Sequence, residues 1–242
     1  MAYNYLDLTN KVLHRFNETP LTSSTFSTAP GLYEVVKDGV NEAIRKINQQ
    51  AFLWPFNFAE QEDTLVAGQM RYNYQTTSKT VDFNTFRIKR NNTLGTETIS
   101  LKRMDYEEYL NIHLDDEYNT TDEGIRTTPR NIIRTPNREY IVHPSPDKAY
   151  ELVYEHYTLP IDLDLYSDVP SLPVAFRHII QDGATVNMYA FQSDYENADR
   201  VSARFKSSIE EMRTIYINRY EDMRDTRIQQ QSPYGSQVGR IN

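Results

Sequence analysis

Two kinds of periodicity alternate along this chain, and their order restricts the fold more than any single motif does. In residues 5–17 apolar side chains recur at helical steps: Leu8, Val12, Leu13 and Phe16. After Pro30 the same spacing returns in Leu32, Val36, Val40, Ala43, Ile44 and Ile47. Such spacing lays one apolar stripe along each of two amphipathic helices, and proline suits the first turn of the second. Between residues 57 and 160 the pattern changes to period two. RYNYQ, TFRIKR, TISLKR, RNIIRT, EYIVHP and AYELVYEHY are short, aromatic or β-branched, and bounded by turn residues, which predicts six strands. DYEEYLNIHL at 105–114 reads as one short helix among them.

Helical spacing resumes after Pro170 and Pro173. Phe176, Ile180, Gly183, Ala184, Asn187 and Phe191 share a face, widened by Ile179, Val186 and Ala190. Ser193 and Glu196 form a capping-box pattern. It opens a helix over residues 194–225 that no proline or glycine interrupts, roughly 45 Å long at ~1.5 Å per residue. Each stripe must bury against something, so two helical pairs separated by about a hundred residues of sheet predict an α+β fold. The expected plan is a four-helix bundle from 1–57 and 161–226, with an inserted antiparallel β-rich domain, sandwich- or barrel-like, at 58–160. Residues 227–242, largely polar with scattered Gly and Pro, are expected to form an extended C-terminal tail.

Composition narrows the function classes. The formal net charge of -8 opposes high-affinity nucleic-acid binding over a broad surface and leaves room only for a local basic patch. The absence of cysteine excludes a disulfide framework, a thiolate zinc site and a cysteine nucleophile. The 18 tyrosines suit interfaces, being apolar rings with a polar end, but tyrosine is equally a good strand residue. MAYNYLDLTNKVLHRF lacks the basic and apolar regions of a signal peptide. No run approaches the ~20 apolar residues of a membrane span, so the Asn17, Asn91 and Asn119 sequons read as coincidences.

Catalytic signatures are lacking. There is no phosphate loop, no G-x-S-x-G and no H-E-x-x-H, and His14, His113, His143, His156 and His178 fall on different predicted elements. The run from His113 through Asp115, Asp116 and Glu117 is oxygen-rich, yet it lacks the alternating ligands and turn glycine of an EF-hand loop. It belongs to a stretch, 104–125, with eight carboxylates and no Lys or Arg, which reads as a solvated acidic surface. Arg126, Arg130, Arg134 and Arg138 follow at intervals of four. They read as isolated surface arginines, as a phosphate-binding patch, or as partners for the acidic residues of a neighbouring copy. Asp162, Asp164 and Asp168 lie in a Pro-bounded loop, with Asp168 or Ser171 a candidate helix cap. His178 is expected at the edge of the core, with Asp182 at i+4 as a local partner. No cofactor and no metal is expected.

Three stretches carry a resemblance. NEAIRKINQQAFLWPF, HPSPDKAYELVYEHYTLP, and VPSLPVAFRHIIQDGATVNMYA followed by DYENADRVSARFKSSIEEMR resemble the head-to-tail adaptors of tailed bacteriophages, the tail tubular protein A group of short-tailed phages. The likeness extends over nearly the whole chain. It implies a structural virion protein without enzymatic activity, assembled in the host cytoplasm into a homo-oligomeric ring, usually of twelve copies. The ring would sit at the head–tail junction between the portal protein and the tail nozzle protein, continuing the channel through which genomic DNA passes without sequence-specific contacts. It also implies that a C-terminal segment docks on the portal, which maps here onto 227–242, with Arg227, Tyr234, Val238, Arg240 and Ile241 as the expected contacts. The rival readings are a tail-associated glycan hydrolase using an Asp/Glu pair, a glycan-binding module built on the β-rich region, and a DNA-binding protein using the arginine series.

Overall fold

The computed structural model describes residues 3–92, 95–119 and 123–217. In chain order the elements are α1 (Tyr5–Arg15), α2 (Leu32–Gln49), β1 (Phe58–Leu65), β2 (Arg71–Asn73), β3 (Ser78–Asn92), β4 (Gly95–Ser100) and β5 (Lys102–Met104). Then come α3 (Tyr106–Ile112), α4 (Leu114–Tyr118), β6 (Asn131–Arg134), β7 (Glu139–His143), β8 (Tyr150–Thr158), α5 (Arg177–Phe191) and α6 (Tyr195–Tyr216). The chain divides into two compact units, one drawn from Met1–Pro55 and Leu163–Asn242, the other Phe56–Asp162.

In the first unit most of the predicted α1 and α2 stripes are buried, with Phe16 and Leu32 only half-buried. Asn4 caps α1 by accepting the Asp7 N–H at 2.8 Å, and the helix buries Tyr5, Leu8, Val12 and Leu13. The α2 helix buries Val36, Val40, Ala43, Ile44 and Ile47. Just beyond it Trp54 is buried, and its indole N–H donates to the Ile47 carbonyl at 3.1 Å.

The α5 helix is the centre of the unit and packs on α1, α2 and α6. A helix touched on three sides keeps no solvated face along its middle. Ile179, Ile180, Gln181, Asp182, Gly183, Ala184, Thr185 and Met188 are therefore all buried, so the burial is wider than the single face predicted. The ends differ: Phe191 and His178 are exposed. His178 Nδ1 lies 3.1 Å from the Ala175 carbonyl. Asp182 ignores His178, because the fold offers it Arg15 of α1 at 2.7 Å and Arg204 of α6 at 2.6 Å.

The approach to α5 is anchored by two polar side chains. Asn41 grips Leu163 by accepting its N–H and donating to its carbonyl, each at 3.0 Å. Arg177 is buried and donates to the carbonyls of Leu172, Pro170 and Tyr3. Asp168 does not cap α5; its carboxylate accepts the N–H groups of Asp164 and Leu165, both at 2.8 Å, and closes its own loop. The cap of α6 is Asp194, which accepts the Asn197 N–H at 3.3 Å, whereas Ser193 is taken up in the preceding turn at φ 60°. The α6 helix buries Ala198, Phe205, Ile209 and Met212. Residues 218–225 of the expected long helix, and the expected tail at 227–242, lie outside the described residues.

The second unit holds two four-stranded sheets, ordered β1-β8-β3-β4 and β2-β7-β6-β5. Leu65, Phe86, Ile88, Leu152 and Tyr154 of the first share one core with Ile132, Tyr140 and Val142 of the second, the mark of a sandwich. Eight strands are present among the described residues where six were predicted. The β1 strand, FAEQEDTL, is polar at five consecutive positions, 60–64, and fully buries only Leu65, so it shows no apolar alternation. TISLKR divides into β4 and β5, which belong to different sheets. The break falls at Leu101, whose N–H donates to the Phe86 carbonyl at 2.9 Å. The β5 strand then pairs with β6 in parallel, so the unit is not wholly antiparallel.

Candidate interaction surfaces

The acidic stretch is organised by α3 and α4. Asp105 caps α3 by accepting the Glu107 N–H at 3.1 Å. The only residue α3 buries is Tyr109, whose hydroxyl donates to Glu117 Oε2 at 3.0 Å. Arg71 of β2 forks onto the same carboxylate and also reaches Glu139 at 3.7 Å. Burial opposes ionisation of Glu117, yet the hydrogen bonds from Arg71 and Tyr109, with the Arg71 charge, hold its carboxyl below the ordinary 4.5. Burial and then the neighbouring Glu117 charge push the Tyr109 phenol up.

A carboxyl depressed in the folded state contributes stability above its unfolded value and loses it as pH falls through the folded one. Replacing Glu117 with Gln should therefore cost about 1 kcal/mol at neutral pH, discounted for partial exposure. The gap from the native protein should close as pH drops below 4.5. Denaturant titration across pH measures this, and a gap that is flat with pH would show that the ionised form is not favoured.

Among the expected charge-pairing residues, then, Glu117 is held by Arg71 and Tyr109. Asp116 faces His143 Nε2 at 3.0 Å and His113 Nδ1 at 3.3 Å. Asp115 is exposed. The four arginines are not one array. The Arg126 guanidinium lies against Gly68, where an added Cβ would stand 3.2 Å from it. Arg130, Arg134 and Arg138 are exposed. Arg134 and Arg138 do come together, with Lys79, around a recess of about 110 Å³ that Tyr74 also lines. Arg134 sits over the Phe83 ring at 5.9 Å, and Arg138 donates to the Ser78 carbonyl. Burial pushes the Tyr74 phenol up to about 12 against the pull of Arg134 and Arg138. The basic member Lys79 was not legible beforehand, because a lone lysine in a Ser/Thr-rich segment carries no local signal.

Two further carboxylates, Asp63 and Glu139, are paired at a second recess. A larger open recess, about 350 Å³, is lined by Asp63, Arg71, Glu139 and Tyr140. Tyr140 donates to Asp63 at 2.9 Å, and Arg71 faces Glu139. Several large apolar side chains are exposed as well. They include Leu165, Tyr166, Val169 and Val174 on the approach to α5, Phe191 and Tyr195 where α5 meets α6, and Ile112 and Tyr118 on α3 and α4. Single exposed apolar residues are ordinary; several in one loop suit a surface that a partner covers. Arg227, Tyr234, Val238, Arg240 and Ile241 lie outside the described residues. No helix among the described residues is long and apolar enough to cross a membrane.

A family model described as SU10 adaptor protein matches residues 3–233 of this chain. No curated protein matches it.

Proposed function

The chain belongs to the SU10 adaptor protein family, and from that premise we propose that it is a structural phage protein that joins other virion components by shape and binding, without turnover. The finer reading is a head-to-tail adaptor of the tail tubular protein A type. Its copies, twelve in this reading, stand side by side in a ring between portal and tail nozzle, around a channel that lets DNA pass. The family match along almost the whole chain carries the proposal. The structure supplies features that suit it. A helical unit centred on α5 is a stiff block, and exposed apolar residues near α5 are the kind that neighbours cover. A net charge of -8 per copy discourages phosphate from sticking in a channel.

In a closed ring each contact is heterologous, so one face of a copy meets a different face of the next. The Arg134 and Arg138 recess is the basic half of one such contact, and Asp115 the acidic half. The C-terminal stretch 227–242 is the proposed portal-docking segment.

The test is to mix the full chain with purified portal and examine the product by electron microscopy. A ring seated on the portal is the expected result; a portal left bare at saturating protein would overturn the reading. Removing 227–242 should weaken portal binding by about tenfold or more while leaving the fold intact, as avidity arguments lead one to expect when one of two linked contacts is lost. Equal binding by the shortened chain would reassign the docking surface.

A further inference from the structure

We propose that His113, Asp116 and His143 form a binding site for a divalent transition-metal ion, with Zn²⁺ as the best fit. The acidic run containing His113 and Asp116 carries no metal-binding signature of its own, and the fold supplies the missing donor. His113 is the cap residue between α3 and α4, Asp116 lies one turn on in α4, and His143 is the last residue of β7. One ligand atom from each falls within 4.8 Å of the others. Asp116 Oδ2 stands 3.0 Å from His143 Nε2 and 3.3 Å from His113 Nδ1. Ligands held at ~2.0–2.1 Å around a tetrahedral ion lie about 3.3 Å apart, so an ion fits here with side-chain adjustment alone.

The groups are held before any ion arrives. The His113 N–H donates to the Tyr109 carbonyl at 2.9 Å, and the Asp116 N–H to the His113 carbonyl at 3.1 Å, which fixes the α3–α4 corner. The His143 carbonyl accepts the Arg130 N–H at 3.0 Å, and the Tyr109 ring packs edge-on against the His143 imidazole. The imidazoles of His113 and His143 lie 4.1 Å apart between centroids. Exposure is graded: 9% for the His143 side chain, 27% for His113 and 42% for Asp116. One wall of the site is therefore in the core while the opposite side is open, leaving a coordination position for water or a further ligand.

Chemistry selects the ion. Two imidazoles and one carboxylate suit Zn²⁺, Co²⁺ or Ni²⁺, whereas Mg²⁺ and Ca²⁺ prefer all-oxygen shells. Ligation needs the neutral imidazole. Glu117, the adjacent carboxylate, is held by Arg71 and Tyr109 and does not compete. A bound ion would clasp the α3–α4 corner to the end of β7 and stabilise the β-rich unit by mass action.

The full-length protein, treated with chelator and dialysed, is titrated with Zn²⁺ at neutral pH by calorimetry, and with Co²⁺ while its visible d–d absorption is followed. One ion per chain is expected, with a rise in the melting temperature and no saturable heat from Mg²⁺ or Ca²⁺. His113→Ala and Asp116→Asn should each weaken Zn²⁺ binding by at least about tenfold, the scale on which altered metal shells are felt. His178→Ala, at an exposed histidine distant in sequence, should bind like the native chain. Lack of saturable Zn²⁺ binding would overturn the proposal, as would native affinity in both His113→Ala and Asp116→Asn. Both positions are partly exposed, so those two variants decide the matter even where His143→Ala fails to fold.

Discussion

Gly183→Ala should lower the stability of the helical unit by about 3 kcal/mol, a large effect for one methyl group. The reason is the closeness of three helices. A Cβ at position 183 would stand 2.6 Å from the Ala43 Cβ of α2 and 2.9 Å from the Phe205 ring of α6. Phe205 is buried and cannot simply swing away, and Ala43 has no side-chain freedom, so α2 and α5 must separate. Separation forfeits contacts along the whole interface, which is why overpacking costs more than one misplaced atom suggests.

Trp54 is the only tryptophan and is buried in this same unit, so its fluorescence follows the relevant transition in denaturant. Ala43→Gly added to Gly183→Ala should recover part of the loss. Recovery is incomplete because glycine within a helix costs about 1 kcal/mol by itself. Such non-additivity is the signature of direct contact. An unshifted midpoint in Gly183→Ala would mean that α2 and α5 are further apart than the packing requires. By contrast, a Cβ at Gly39 would meet nothing nearer than 3.4 Å, so Gly39→Ala is expected to be mild.

The helices were legible in the sequence because their stripes match how they pack. Leu8, Val12 and Leu13, and the α2 series from Val36 to Ile47, are core residues as their spacing predicts. The α5 helix was legible as a helix but not as the central one. A helix surrounded on three sides buries Gln181, Asp182 and Thr185, and a pattern of apolar residues has no way to flag buried polar ones. The same limit hid β1, which pairs with β8 through eight residues although only its ends, Phe58 and Leu65, carry large apolar side chains. The split of TISLKR was hidden because the chain crosses between sheets without a turn residue.

Sites suffered most. Arg134 and Arg138 were visible only within the series of four arginines from Arg126, and Lys79 joins them only through β3. His113 and Asp116 lie together in sequence, while the imidazole that completes them is 27 residues beyond Asp116 on another element. Long-range convergence of this kind follows from sheet order, which local periodicity does not encode.

Asp182→Ala is expected to be as damaging as the glycine substitution, through electrostatics instead of crowding. The Asp182 side chain is only 5% exposed and accepts from Arg15 of α1 at 2.7 Å and from both Nε and Nη2 of Arg204 of α6, at 3.0 and 2.6 Å. One carboxylate thus ties three helices. Removing one member of a buried charge pair costs about 3–5 kcal/mol, chiefly by leaving charge without compensation. Arg204 is 58% exposed and Arg15 33%, so both can turn partly to water, which places the expected loss at the lower end, about 3 kcal/mol. Asp182→Asn keeps the shape and one acceptor oxygen and should lose less, because the bonds that Oδ1 accepts from Arg15 and Arg204 survive while the charge and the Oδ2 bond do not. Arg204→Ala should cost about 1 kcal/mol or less, since that end is largely solvated.

The comparison that decides the mechanism is the double variant Asp182→Ala with Arg204→Ala. If uncompensated charge drives the loss, the pair will be more stable than the sum of the single losses predicts. If Asp182→Ala alone matches the native midpoint, both arginines relax into water, and α1, α5 and α6 are held by apolar packing alone. The adaptor reading gives this unit a mechanical job, so the portal-bound ring is the second readout. A loosened α1–α5–α6 frame should lower ring occupancy at a temperature where the chain is still folded. Full occupancy from a measurably destabilised Asp182→Ala chain would detach the stiffness of this unit from assembly.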